Sequence, residues 1–179
     1  MNTALERSQG EYIIFLHADD FFPHNQVLIK IYFFLEKHSF PSLIYGDIHY
    51  VDEKDTKKII RRWKSGMFCR ENFLSGWMPP HPALIVKKTV FQTYGFFNSG
   101  FRISGDYEWM LRVMFKERVP ALYLNEVLVH MRTGGVSNRS WKHRYLAWKE
   151  DIKAWKINGL TRRPYTLILK KARKIFQFF

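Results

Sequence analysis

Apolar and polar positions along this chain alternate in blocks of strand and helix length. Residues 12–16 form a continuous apolar run of strand length, which ends in a polar loop before Pro23. Residues 25–38 then follow helical spacing, with Val27, Ile31 and Leu35 on one side. Strand, loop and helix in this order predict an α/β domain, with the first strand buried on both faces of a parallel sheet.

The same alternation continues along the chain, although its middle is less regular. Residues 77–82 contain three prolines, which exclude a helix there. From residue 140 onward the chain is helical, basic and aromatic, so we predict a domain over 1–140 and a basic amphipathic helical tail over 141–179. The other expected elements are helices at 1–8, 88–94 and 106–115, strands at 42–51 and 122–131, and a charged turn at 52–58.

The net charge of the chain indicates which kinds of molecule it can bind. The 179 residues include 29 Lys and Arg against 16 Asp and Glu, a formal net charge of +13. Such a chain attracts polyanions, whether nucleic acid, anionic lipid or phosphorylated substrates. The positive charge is concentrated near the C-terminus among aromatic residues, and no nucleic-acid-binding motif is present. We therefore expect a membrane or phosphate partner and no nucleic acid.

The cysteine count, the apolar stretches and the N-terminal sequence indicate the cellular compartment. A single cysteine, Cys69, excludes an internal disulfide and a cysteine-cluster metal site. No apolar stretch approaches the roughly 18 to 20 residues that a bilayer-spanning helix needs. The N-terminus does not resemble a secretory signal. These observations favour a cytoplasmic location.

Asp19 and Asp20 are the sharpest chemical feature. They directly follow the first apolar strand, and in open α/β sheets ligands bind at the carboxyl edge. Adjacent carboxylates suit a hard divalent cation, Mg²⁺ or Mn²⁺, which can stabilise a diphosphate leaving group. His17 lies two residues earlier, where it can contact the same ligand or a phosphate. The alternative is a solvated turn in which Asp20 caps the next helix.

Asp106 lies beside Gly105 at the predicted start of a helix. A carboxylate placed there can act as a general base that takes the proton of an attacking hydroxyl. The alternative is again a helix-capping role. Glu108 is a weaker candidate, which we place among the acceptor-binding residues.

Two further segments are candidates for substrate contact. The rigid segment 77–82 offers Trp77 and His81 as a wall for an acceptor, although a packing role is equally compatible with its prolines. Residues 132–138 combine Arg132, which can neutralise a diphosphate, with two glycines that permit close approach of the backbone. A plain turn is the alternative for that segment.

Taken in order, these blocks resemble the family 2 glycosyltransferases that build bacterial surface polysaccharides. The resemblance covers residues 1 to about 140, and its matching blocks are 1–2, 8–12, 15–20, 46–47, 80–83, 105–112 and 132–137. It implies a GT-A fold, with a mixed sheet flanked by helices, and a nucleotide-sugar donor such as a UDP-sugar. It also implies a divalent metal at Asp19 and Asp20, in a DXD-like motif where His17 replaces the more usual Asp or Asn. Asp106 falls at the family's catalytic base, which implies single-displacement transfer with inversion.

The chain departs from the family pattern at its start. Only eighteen residues precede Asp19, whereas the family places its first strands and its nucleotide-binding residues before this motif. We therefore expect a truncated GT-A domain that lacks the first strands. Two functions remain open: a glycosyltransferase acting on a glycan or lipid-linked acceptor, or a non-catalytic relative that binds a partner or a membrane surface. The basic tail fits peripheral membrane contact, or a helix packed on the domain with a solvated side.

Overall fold

Six strands form one mixed sheet in the computed structural model, which describes residues 1–133, 141–173 and 177. The strands are β1 (Tyr12–Ile14), β2 (Asp20–Phe21), β3 (Leu43–Val51), β4 (Ile59–Trp63), β5 (Leu84–Lys87) and β6 (Ala121–Arg132). Their order is β1-β5-β3-β6-β2, and β4 also pairs with β3. Among these described strands, β3 and β6 pair in parallel and the other pairs are antiparallel.

The described helices cover both faces of this sheet. They are α1 (Asn2–Arg7), α2 (Val27–Lys37), α3 (Lys88–Tyr94), α4 (Gly105–Met110), α5 (Trp141–Ile157) and α6 (Thr166–Ala172). A π-helical segment, Leu111–Lys116, continues α4, and 3₁₀ segments occupy Arg70–Ser75 and His81–Ala83. The expected α/β architecture with a mixed sheet flanked by helices is therefore observed.

Strand β3 is the central strand of the sheet, and both of its faces are apolar. Leu43 and Tyr45 join the core cluster that includes α4 and α5, whereas Ile44 and Ile48 join the cluster covered by α2. All four side chains are fully buried. The α2 helix contributes its predicted stripe, Val27, Ile31 and Leu35, to the second cluster.

Gly46 lies where β3 packs tightly against β6. The pairing of these two strands is irregular between Tyr45 and Ile48. A Cβ atom at Gly46 would lie 2.8 Å from the Glu126 carbonyl oxygen and would also overlap the Leu128 side chain. Glycine at this position therefore permits the contact between the two central strands.

The first strand is present, but the prediction that it is buried on both faces of a parallel sheet was wrong. Strand β1 is half-buried along its whole length and pairs antiparallel with β5 alone. An apolar run cannot by itself distinguish a doubly buried parallel strand from an edge strand packed on one side. Strand β4 was not anticipated either, because its basic residues Arg61 and Arg62 obscure the apolar alternation.

The C-terminal helices pack against the same core as the sheet. Trp155 of α5 is fully buried, with its ring centroid 5.3 Å from that of Phe115. Its indole N–H donates a 2.9 Å hydrogen bond to the Tyr107 hydroxyl. In α6, Lys170 forms a 2.8 Å ion pair with Asp151. The division at residue 140 stays a prediction, but α5 and α6 have a structural role within the folded domain.

Candidate active site

The two acidic residues after β1 have different environments. Asp19 is exposed, and its carbonyl oxygen accepts a 3.4 Å hydrogen bond from the Arg132 N–H. Asp20 is only 8% exposed because it lies in β2, paired with Met131 of β6. The next helix, α2, has Gln26 at its N-cap. The alternative in which Asp20 caps that helix is therefore wrong.

Asp20 is held in an electrostatically costly position. Its Oδ2 atom is buried and has no hydrogen-bond partner among the described residues. Burial raises the pKa of this carboxyl group, and the charge of Asp19 raises it further. The His17 side chain and a hydrogen bond with the His17 backbone oppose the rise in pKa. A buried acceptor without a partner is a suitable position for a ligand that supplies positive charge.

Asp106 lies in the first turn of α4, at the edge of a pocket of about 470 Å³. The N-cap position belongs to Ser104, whose side chain makes no capping hydrogen bond, so the alternative in which Asp106 stabilises the helix start stays open. One carboxylate oxygen, Oδ1, accepts a 2.8 Å hydrogen bond from the Tyr107 N–H. The pocket is also lined by His17 and His81. Three residues that are far apart in the sequence therefore meet at one cavity.

His81 is buried beneath His17. Its ring stacks on Phe15 at a centroid distance of 5.4 Å, and the His17 ring lies 5.9 Å away. Burial lowers the pKa of His81, the nearby Asp106 charge raises it, and His17 lowers it. His81 therefore shares this pocket with the predicted base and the predicted phosphate contact, and it is only 7% exposed.

Glu150 of α5 anchors the loop that leads into α4. Its carboxylate accepts three backbone hydrogen bonds of 2.8–2.9 Å, from the N–H groups of Arg102, Ile103 and Ser104. Only Gly105 separates these residues from Asp106 in the chain. Burial raises the Glu150 pKa, but the three hydrogen bonds outweigh it and lower the pKa overall. No local sequence pattern links residue 150 to residues 102–104, so Glu150 was not predicted as a site residue.

Arg132 is exposed at the end of β6, beside the acidic pair. Its guanidinium carbon lies 5.2 Å from the Phe21 ring centroid. Its backbone contact with Asp19 brings it to the same end of the sheet as the predicted metal motif. The glycine-containing residues 134–138 of the same predicted segment lie outside the described residues.

Trp77 and Glu108 are placed away from the pocket. Trp77 is 6% exposed, and its indole N–H donates a 2.8 Å hydrogen bond to the Ser65 carbonyl oxygen. Glu108 is 1% exposed and accepts hydrogen bonds from Arg112 at 2.9 Å and Asn158 at 3.1 Å. The polar groups of both side chains are therefore hydrogen-bonded inside the protein. For Trp77 this agrees with the packing role that was the alternative for the proline-rich segment.

Asp19 and Asp20 can supply only part of the ligand set of a metal ion. Among the described residues, no group of three or more His, Cys, Asp or Glu side chains is arranged to hold a metal ion. The acidic pair offers hard carboxylate oxygens, one of them buried and without a partner. This set fits a Mg²⁺ or Mn²⁺ ion whose remaining ligands come from water and a substrate diphosphate.

Sequence comparison identifies the family. The profile of the family described as "Glycosyl transferase family 2" matches residues 1–128. The chain belongs to glycosyl transferase family 2. Its similar relatives include the "PGL/p-HBAD biosynthesis glycosyltransferase" of Mycobacterium bovis and of Mycobacterium tuberculosis, each 26% identical over 143 residues. That match covers 77% of this chain and 52% of the relative, so this family 2 chain spans about half the length of the curated relatives it matches.

Solved structures show the same fold for this family 2 chain. S. aureus TarS, residues 1–349, in complex with UDP-GlcNAc superposes with a TM-score of 0.60 and 13% identity, over 88% of this chain and 44% of TarS. TarS in complex with UDP gives a TM-score of 0.58 and 12% identity, over 94% of this chain and 46% of TarS. The expected GT-A-like fold is thereby confirmed.

Proposed function

We propose that this family 2 chain takes part in transferring a sugar from a nucleotide-sugar donor to a hydroxyl of a glycan or lipid-linked acceptor. The observation that carries the proposal is the pocket shared by Asp106, His17 and His81. The family match supports sugar transfer, and TarS, which has the same fold, binds UDP-GlcNAc. A UDP-sugar is therefore the donor class to test first.

In this proposal Asp106 is the general base. It accepts the proton of the acceptor hydroxyl as the hydroxyl oxygen forms a bond to the anomeric carbon. The bond between that carbon and the diphosphate oxygen breaks at the same time, and the nucleoside diphosphate leaves with the bonding electrons. Attack from the opposite side inverts the anomeric configuration. The position of Asp106 at the pocket edge, with one oxygen on the Tyr107 N–H, supports this role.

Asp19 and Asp20 are the residues proposed to hold Mg²⁺ or Mn²⁺, with His17 and Arg132 near the diphosphate. The bound ion supplies positive charge that stabilises the leaving diphosphate. The unpartnered, buried oxygen of Asp20 supports this assignment. His81 is proposed to position the acceptor, because it lines the pocket beside His17. For Trp77 and Glu108 we propose a supporting role in the core in place of acceptor contact.

Release of UDP is the direct test of this proposal. The protein would be incubated with UDP-GlcNAc and other UDP-sugars, with and without Mn²⁺, and with a membrane lipid extract as the source of acceptors. We expect Mn²⁺-dependent release, and a loss of about 100-fold or more in Asp106→Asn. Glu117→Gln, an exposed substitution outside the pocket, is the matched control. Equal rates in both variants would rule out the base role of Asp106.

The alternative is a non-catalytic relative that binds a partner or a membrane surface, and one observation favours membrane contact. Helix α5 exposes Trp141 by 84% and Tyr145 by 56%. The Arg144 guanidinium lies 5.4 Å from the Trp141 ring, and the Lys149 ammonium lies 4.6 Å from the Tyr145 ring. Aromatic and basic side chains on one helix suit the interface of an anionic membrane. Within the described ranges, no helix combines the length and apolarity needed to cross a membrane.

A further inference from the structure

A row of paired residues crosses four strands beside the acidic pair. Arg61 of β4 is paired with Tyr50 of β3. Tyr50 is paired with Met131 of β6, and Met131 is paired with Asp20 of β2. Residues directly opposite one another on neighbouring strands project from the same face of a sheet. The basic, phenolic and acidic side chains of this row therefore share one face.

Tyr50 lies within electrostatic range of both predicted functional carboxylates. Burial raises the Tyr50 pKa, while the Arg61 charge and a hydrogen bond with Arg61 lower it. The negative charges of Asp20 and Asp106 raise it again. The Tyr50 side chain is therefore close enough to Asp20 and to Asp106 for both charges to act on it.

Arg61 is held in a defined orientation there. Its guanidinium carbon lies 3.6 Å from the centroid of the Tyr50 ring, a close cation–π contact. The side chain is half-buried, whereas the neighbouring Arg62 is exposed. A stacked guanidinium loses little additional freedom on binding, and its planar donors match the oxygens of a phosphate group.

Asp20 provides a second, independent indication of a ligand on this face. Its side chain is more than nine-tenths buried, and its Oδ2 atom has no hydrogen-bond partner among the described residues. Such a carboxylate attracts a cation and repels an anion. A phosphate group on this face would therefore need the positive charge of a cation at Asp19 and Asp20, together with that of Arg61, which lies on the same face of the sheet.

We propose that Arg61, stacked on Tyr50, binds a phosphate group on this face of the sheet. The proposal rests on the proposed function and adds a binding residue to it. The shared chemistry, a phosphate group, has two sources in that reaction. One source is the diphosphate of the nucleotide-sugar donor, and the other is the phosphate of a lipid-linked acceptor.

The test compares Arg61→Gln with Arg62→Gln in the full chain. Arg62 is the adjacent residue, pairs with His49, and projects from the opposite face of β4. Calorimetric titrations would use UDP and pyrophosphate with Mn²⁺ in one arm, and a short-chain prenyl phosphate in the other. We expect Arg61→Gln to weaken binding about tenfold, and Arg62→Gln to change it by less than about twofold. A loss with UDP and pyrophosphate assigns the donor, whereas a loss with the prenyl phosphate alone assigns the acceptor.

Additional variants keep the test decisive if Arg61→Gln does not fold. Arg61→Lys retains the charge without the planar fork, so we expect an affinity between those of the wild type and Arg61→Gln. Tyr50→Leu removes the stacking surface, and we expect weaker binding with Arg61 intact. Equal affinities in the Arg61 and Arg62 variants, or no binding of any probe by the wild type, would overturn the proposal.

The two proposals fail in different ways. Phosphate binding that depends on Arg61, without any transfer of sugar from a UDP-sugar, would exclude the proposed function and keep this binding site. Sugar transfer with an unchanged KM for the donor in Arg61→Gln, together with unchanged prenyl phosphate binding, would exclude only the role of Arg61.

Discussion

Asp20 combines burial with an unsatisfied carboxylate oxygen, and this has a cost in stability. Its pKa is raised in the folded protein, so the folded state binds the proton more tightly than the unfolded state does. The carboxylate therefore lowers the free energy of unfolding above its folded pKa. This cost disappears as the pH falls below the unfolded value of about 4. A residue selected for stability alone would be neutral at this position.

We therefore expect Asp20→Asn to stabilise the protein at pH 7 while reducing Mn²⁺-dependent UDP release. The gain should be about 1 kcal/mol in the free energy of unfolding, because a buried unsatisfied charge is removed. It should vanish near pH 3.5. Urea denaturation at the two pH values measures the gain, with the exposed Glu117→Gln as a control that leaves stability unchanged. A destabilised Asp20→Asn at pH 7 would contradict this account.

Glu150 of α5 positions the loop that leads to the proposed base on another element. Its pKa is lowered by three backbone hydrogen bonds from residues 102–104, despite its burial. A lowered pKa gives stability that is present above the unfolded value of about 4.3. That stability is lost as the pH falls through the folded pKa.

Glu150→Gln is expected to lower the free energy of unfolding by about 2 kcal/mol at pH 7, because hydrogen bonds to a charged acceptor are lost. The difference from the wild type should shrink as the pH falls toward 3. Equilibrium urea unfolding at several pH values measures it, and Glu117→Gln provides an exposed control. A difference that stays constant across this pH range would show that the carboxylate charge is not the source.

At the scale of elements, α5 joins the pocket to the core. Its buried side carries Glu150 against the loop before α4 and Trp155 against Phe115 and Tyr107. Its exposed side carries Trp141 and Tyr145. The helix therefore has a structural face and a face available for contact with another surface.

Separate substitutions of Trp155 and Trp141 should distinguish these two faces. Trp155→Ala should cost about 3–5 kcal/mol in the free energy of unfolding, because it empties a fully buried site. Trp141→Ala on the same helix should change it by less than about 0.5 kcal/mol, since its side chain is 84% exposed. Chemical denaturation measures both. Similar values for the two variants would contradict the packing of α5 on the domain.

For the whole molecule, the net charge of +13 and the exposed aromatic face of α5 favour an anionic membrane surface. We expect the protein to float with vesicles containing anionic lipid, and to bind much less to zwitterionic vesicles. Binding should weaken as salt rises from about 0.1 to 1 M, where screening shortens the Debye length. Replacing Trp141 and Tyr145 by Ala together should reduce flotation. Flotation that is independent of lipid charge would contradict this proposal.

Much of the fold was predictable from local pattern. The helical stripe of Val27, Ile31 and Leu35 packs on the sheet, and the strand expected at 122–131 is β6. These predictions succeeded because side-chain periodicity reports which face of an element is buried. The α/β class and the family resemblance followed from the order of such blocks and their short motifs, and the match over residues 1–128 confirms that resemblance.

The sequence by itself determined the candidates for chemistry: a carboxylate pair after a strand and a carboxylate at a helix start. Only the tertiary structure decided which of these residues share a pocket with His17 and His81, and which are buried in the core, as Trp77 and Glu108 are. The register of β4, β3, β6 and β2 placed Arg61 on the same face as Asp20. The physical reason is that strand pairing and core packing join residues tens of positions apart, and local periodicity carries no information about such pairings.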